Sequence, residues 1–111
     1  MIVFKFGGAS VKDAAGVINL SNIVKKYQGQ KLLIVVSAMG KTTNALEKLT
    51  KAYVDQTDDL HTIYAEIKNY HHHILEGLFE PAHSIFDEIA NTFVEIDWMI
   101  EDEPHEDYDF I

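Results

Sequence analysis

Apolar positions fall along this chain in two rhythms. Residues 2–6, Ile-Val-Phe-Lys-Phe, form a short run, and residues 31–37 form another around Leu32-Leu33-Ile34-Val35-Val36. Short runs bounded by glycine or small polar residues predict strands. Between them Ala14, Val17, Ile18, Val24 and Tyr27 recur at helical spacing. Ser10 is the predicted N-cap, Asp13 three residues later approximates a capping box, and Gly29 is placed to end the helix. Strand, helix and strand in this order predict a βαβ unit with parallel strands and a right-handed crossover. The unbroken apolar character of 31–37 predicts a central strand covered on both faces.

Beyond residue 42 the rhythm is helical throughout. Thr42 or Thr43 caps a helix to about Asp55 that carries Leu46, Leu49 and Tyr53 on one face, and Gln56-Thr57-Asp58-Asp59 reads as a connection. Leu60, Tyr64, Ile67, His71, Ile74 and Leu78 then predict a long helix packed antiparallel on a neighbour. Glu80-Pro81 breaks it, since proline is tolerated in a first helical turn but not inside a helix. Phe86, Ile89, Phe93, Ile96 and Ile100 carry a further helix to about Glu101, followed by the charged linker Glu101–Asp107 and the apolar Tyr108, Phe110 and Ile111. The expected organisation is a βαβ piece with two ligand turns (1–44), a helical segment (45–103), and a linker into a further element (104–111).

Charge divides the same way. Residues 1–51 hold eight of the nine lysines and two acids; residues 52–111 hold Lys68 against sixteen acids. The basic part coincides with the glycine-containing turns, the polarity expected if an anion sits there. The acidic part reads mostly as solvated helix surface. Arginine is absent, and no basic face is interleaved with aromatics, so nucleic-acid binding is disfavoured. Cysteine is absent, which excludes disulfides and thiolate metal sites and suits a reducing compartment. No basic segment precedes the first apolar run, as a secretory signal would require. No apolar run approaches the roughly 20 residues that span a bilayer. A soluble, cytoplasmic protein is expected.

The candidate chemistry lies at two strand ends. After the first strand come Gly7-Gly8-Ala9-Ser10, where glycine permits positive φ and close approach of a ligand to the backbone. A strand-to-helix turn of this kind offers N–H groups and a helix dipole to an anion, with Lys5 beside it as a point charge. Taken alone, such a turn is commonly structural. The second stretch changes the balance: Val35-Val36-Ser37-Ala38-Met39-Gly40-Lys41-Thr42-Thr43-Asn44 again runs from an apolar strand through small and hydroxyl residues into a helix. Both turns would lie at the carboxyl ends of neighbouring parallel strands, where open α/β sheets bind ligands. Gly40-Lys41-Thr42 does not complete a P-loop motif, because position 35 is valine where a glycine is needed.

Together, Lys5-Phe6-Gly7-Gly8-Ala9-Ser10-Val11 and Val35–Asn44 closely resemble the N-terminus of aspartokinases, members of the amino-acid kinase family. The resemblance is firm over residues 2–47 and looser over the helices. It implies the three-layer α/β/α (carbamate kinase-like) fold, with this chain supplying the parallel start and a helical excursion. It implies phosphoryl transfer from ATP to the side-chain carboxylate of L-aspartate, giving 4-phospho-L-aspartate, the first step toward lysine, threonine and methionine. In that reading Lys5 is catalytic and binds phosphate, Gly7, Gly8 and Ser10 bind the ATP phosphates, and Ser37, Thr43 and Asn44 contact the amino acid. Ala9 stands where the family usually has threonine, so only a backbone role remains there.

The resemblance also implies a longer protein that forms homo-oligomers, of which this chain alone is inactive. Mg²⁺ would arrive on the ATP phosphates. No metal site is expected from His71-His72-His73, whose side chains point about 100° apart on a helix. His72 and Glu76 are instead spaced as a helix pair. The bland alternatives are a helix cap for Thr43 and a solvent-facing lysine on an edge strand for Lys5. Two other functions compete: an amino-acid kinase with a different acid substrate, and a non-catalytic α/β module whose amphipathic helices mediate assembly. Self-association through the apolar stripes is expected of the fragment. The module requires Leu78, Phe79, Phe93, Trp98 and Ile100 to be covered within one chain.

Overall fold

A computed structural model of the chain describes residues 1–102. The chain forms two compact units, Met1–Thr43 and a second beginning at Asn44.

In the first unit, strand β1 (Ile2–Phe6) pairs in parallel with β2 (Leu32–Val36), with Ile2 opposite Leu32 and Phe6 opposite Val36. A 3-10 turn (Gly8–Val11) follows β1, and helix α1 (Ala14–Lys25) connects to β2. The expected βαβ order is present. Side-chain alternation puts Ile2, Phe4 and Phe6 on one face of the pair. Phe4 packs against Tyr27, ring centroids 5.0 Å apart, just beyond α1. Val3 and Lys5 share the other face with Leu33 and Val35.

Three local expectations are corrected. Ser10 does not cap α1, because it lies inside the 3-10 turn. The cap is Asp13, which has extended backbone angles and whose carboxylate accepts from the Gly16 N–H at 2.8 Å. The inserted turn delays the start of α1, so the residue read as the third helical position becomes the cap itself. At the other end, α1 stops at Lys25. Tyr27 lies in a run of tighter turns, its N–H donating to the Val24 carbonyl, and Gly29, with φ +88°, lies past the helix end. Nor is β2 covered on both faces: Leu33, Ile34, Val35 and Val36 are all exposed. Two strands and one helix cannot cover both faces of a strand with this composition.

The second unit is helical, built from α2 (Thr42–Asp55, its first two residues belonging to the first unit), α3 (Leu60–Glu76) and α4 (Ile85–Glu101). Its core is Leu49, Ala52 and Tyr53 of α2 with Leu60, Tyr64 and Ile67 of α3, against which Phe93, Ile96 and Ile100 of α4 pack. The predicted stripes are the observed ones. Tyr64 meets Phe93 while His72 meets Phe86, so α3 and α4 run antiparallel as expected. The α2–α3 connection is Gln56–Asp59; Gln56 takes φ +54°, and its side-chain amide donates to the Tyr53 carbonyl at 2.7 Å. Leu78 falls just past α3, and Pro81 lies in the turn before α4 rather than in its first turn.

Trp98 is 65% exposed and Phe79 36%. The complete core that a self-contained assembly module requires is therefore not found among the described residues. No helix among them is long and apolar enough to cross a membrane. Tyr108, Phe110, Ile111 and the expected linker at 104–111 lie outside the described residues.

Candidate functional site

The parallel ladder brings the two predicted turns together. It continues one step past the strands, where the Ser37 N–H donates to the Phe6 carbonyl at 2.9 Å. Beyond that the turns cross. The Gly40 N–H donates to the Gly8 carbonyl at 2.9 Å. A Cβ on Gly8 would stand 2.4 Å from the Gly40 carbonyl oxygen and 3.1 Å from that of Ala38. Glycine at position 8 is thus fixed by backbone-on-backbone contact. Position 7 is the opposite case, since a Cβ there would meet nothing within 4 Å. Gly7 borders open space, and Gly8 is clamped beneath it.

Each turn is also closed on itself. The Ser10 N–H donates to the Gly7 carbonyl at 3.0 Å, shaping the 3-10 turn. In the second turn the Met39 carbonyl accepts twice from Thr42, from the N–H at 3.0 Å and from the hydroxyl at 2.5 Å. Gly40 has φ +56° and Lys41 has no positive φ, the pattern of a type II′ turn, for which glycine is the usual first central residue. Thr42 is buried between two exposed neighbours.

Of the predicted site residues, Lys5, Gly7, Gly8, Ser10 and Ser37 belong to this joined platform. Lys5 is exposed near the end of β1, level with Val35, on the face that also carries Val3 and Leu33. Ser37 is exposed immediately beyond β2, and Thr43 is exposed in the first turn of α2. Asn44 is the first residue of the second unit and is exposed on α2. Of the six lysines in residues 1–43, Lys5, Lys12 and Lys41 lie in or beside the two turns, a local polarity that favours an anion.

Sequence reasoning missed the roles of Gly40 and Thr42. The available signal is a glycine followed two residues later by a threonine at a helix start, a turn signature independent of the P-loop pattern. The helix dipole assigned to the first turn is also corrected. Only the four-residue 3-10 turn begins at Gly8, and α1 is capped by its own Asp13.

The histidine run is structural where it touches anything. His71 Nδ1 lies 2.8 Å from the Ile67 carbonyl, so that nitrogen carries the proton, because a carbonyl can only accept. His72 Nε2 pairs with Glu76 at 3.2 Å on an exposed surface. Among the described residues no three histidine or acidic side chains are placed to hold a metal ion.

A parallel βαβ start whose two strand-end turns are locked together, followed by a helical excursion, defines a class. The chain belongs to the amino acid kinase family, whose sequence model matches residues 1–93. Within it, the chain is 47% identical over 58 residues to aspartokinase 2 of Bacillus subtilis (strain 168), a match covering 50% of this chain and 14% of that protein. It is 34% identical over 92 residues to the bifunctional aspartokinase/homoserine dehydrogenase 2 of Escherichia coli (strain K12), covering 81% of this chain and 11% of that one. The fold matches the aspartate kinase of Clostridium acetobutylicum with a TM-score of 0.74 at 22% identity, over 97% of this chain and 25% of that chain. The chain therefore corresponds to a small part of the length of each of these proteins.

Proposed function

We propose that this chain carries the phosphate-binding and acceptor-binding turns of an aspartate kinase, which transfers the γ-phosphoryl group of ATP to the side-chain carboxylate of L-aspartate. The observation that carries this reading is the Gly8–Gly40 crossing. In-line phosphoryl transfer requires donor and acceptor to be held in fixed relation, and its catalysis is mostly positioning and charge stabilisation. Two turns that share a hydrogen bond and a backbone contact meet that requirement.

Each residue has a role consistent with its surroundings. Gly7 borders open space and presents backbone to the ATP phosphates, with Gly8 and Ser10 in the same turn. Lys5, the catalytic residue, neutralises charge on the transferring group. Ser37 and Thr43, short and exposed, donate hydroxyl hydrogen bonds to the amino-acid substrate without adding charge; Asn44 assists from α2. Magnesium is carried in on the ATP phosphates, neutralising their charge. The reaction belongs to the synthesis of lysine, threonine and methionine, in a cytoplasmic enzyme whose complete form is a homo-oligomer. In this reading no residue of 1–111 supplies the adenine pocket or the remaining catalytic groups, and the 111-residue chain has no activity by itself.

A segment exchange tests this. Residues 1–47 are placed in the corresponding position of the Bacillus subtilis aspartokinase 2, and aspartate-dependent ADP formation is followed. The exchange should retain activity, and Lys5→Ala within it should cut kcat by about 10²–10³-fold with circular dichroism unchanged. A folded Lys5→Ala protein with kcat near that of its parent would remove Lys5 from the chemistry and leave both turns as scaffold.

A further inference from the structure

We infer that Thr42 is a positioning residue for phosphoryl transfer, acting through Gly40 on the phosphate-binding turn. This rests on the aspartate kinase reading and adds a residue to it. The chain of contacts is short and wholly within the first unit. The Thr42 hydroxyl donates to the Met39 carbonyl at 2.5 Å, and the Thr42 N–H reaches the same oxygen at 3.0 Å. These bonds close the Met39–Thr42 turn and hold Gly40 at φ +56°. That conformation directs the Gly40 N–H onto the Gly8 carbonyl at 2.9 Å and sets the Gly40 carbonyl against the Gly8 Cα, where a Cβ would be only 2.4 Å away. Gly8 is therefore hydrogen-bonded by the N–H of Gly40 and abutted by its carbonyl, and the conformation of Gly40 depends on Thr42.

Three features set Thr42 apart from an ordinary helix-start threonine. Its hydroxyl donates to a carbonyl before the helix instead of accepting from helix N–H groups as a cap does. It is 7% exposed, while its neighbours Lys41 and Thr43 are both exposed. A buried hydroxyl at this position commits its only proton to the turn, so the side chain has none left to donate to substrate. The substrate-facing work falls to Thr43, and the spacing of the two turns falls to Thr42.

Amide hydrogen exchange and NMR titration on the 111-residue chain, with inorganic tripolyphosphate as the probe, test the assignment. In the wild type, saturating tripolyphosphate should slow exchange of the Gly40 amide and shift the Gly7 and Gly8 amides together with it. Thr42→Val, which keeps shape but loses the hydroxyl, should speed Gly40 exchange and weaken tripolyphosphate binding, each by about tenfold. Thr42→Ser should restore both. Faster Gly40 exchange in Thr42→Val with unchanged tripolyphosphate affinity would make Thr42 merely structural and overturn the inference. So would a wild-type Gly40 amide indifferent to bound tripolyphosphate, a result that does not depend on any variant folding. A wild type that binds no tripolyphosphate, while Gly40 exchange still follows Thr42, would overturn the ATP-site reading and the positioning role with it, leaving only a mechanical link.

Discussion

The hydroxyl of Tyr64 on α3 donates to the backbone carbonyl of Phe93 on α4 at 2.8 Å, across 29 residues of sequence. The two rings lie 6.2 Å apart and tilted, and Tyr64 is almost fully buried. This one side chain both packs the helix pair and sets its register. A helical carbonyl is available to accept because it keeps a second lone pair after its own i+4 bond.

Replacing it tests how much the polar half contributes. Tyr64→Phe preserves the ring and leaves the Phe93 carbonyl with its helical partner. The expected loss is about 1 kcal/mol, the net worth of a neutral hydrogen bond, against about 3–5 kcal/mol for Tyr64→Ala by analogy with large aromatic truncations. Urea unfolding of both variants measures the difference. Equal losses would mean that the hydroxyl is idle.

Stability should fall in alkali, and the tyrosines set the window. Burial, reinforced by the nearby Asp97 carboxylate, holds the Tyr64 hydroxyl well above the ordinary value of 10.0. Burial followed by Asp102 raises that of Tyr53. A folded-state value above the unfolded one means that the native protein keeps a proton that the unfolded chain gives up. Stability is then whole below about pH 10 and declines above it, by at most about 1.4 kcal/mol per pH unit for each tyrosine. Urea midpoints between pH 8 and pH 11 should show this decline, and Tyr64→Phe should flatten it. A flat profile in the parent protein would contradict the upward shift of both tyrosines.

The two adjacent glycines should respond in opposite ways. Gly8→Ala drives a Cβ to 2.4 Å from the Gly40 oxygen, a backbone atom with no freedom to rotate away. It should destabilise the first unit by about 2 kcal/mol or more, the range of overpacked sites. Gly7→Ala meets no atom within 4 Å, and Gly7 has an ordinary φ of −78°. Its thermal midpoint should hold or rise slightly, because alanine restricts the unfolded chain more than glycine does. Comparable melting curves for the two variants would contradict the crossing of the turns.

Capping separates Asp13 from Ser10. Asp13→Ala removes the acceptor for the Gly16 N–H and should cost about 1 kcal/mol, while Ser10→Ala should stay within about 0.5 kcal/mol. Chemical denaturation ranks them directly. The reverse order would return the cap to Ser10.

That pair also shows how far the sequence could be read. Both strands, their parallel pairing and the apolar faces of α3 and α4 follow from periodicity, because burial of one face is a property of every residue in the element. The start of α1 does not. Ser10 and Asp13 are both good caps, and only the tertiary fit of a 3-10 turn under the second loop decides between them. The exposure of Val35 and Val36 was equally illegible, since apolar content states what a strand needs against it and not what stands there. The site divides likewise. Lys5, Gly7, Gly8 and Ser37 sit at strand ends that pattern alone locates. Gly40-Lys41-Thr42 carries a local turn signature, but its contact with Gly8 joins loops more than 30 residues apart and has no local mark in one sequence.

Gly16 extends the consequence of that contact into α1. A Cβ at Gly16 would stand 2.5 Å from the Ser10 carbonyl oxygen, so the first turn of the helix abuts the backbone of the 3-10 turn with no side chain between them. Nothing compressible separates the two. A side chain at position 16 would therefore push the first turn of α1 off the 3-10 turn, and the junction between them admits only a residue without a Cβ.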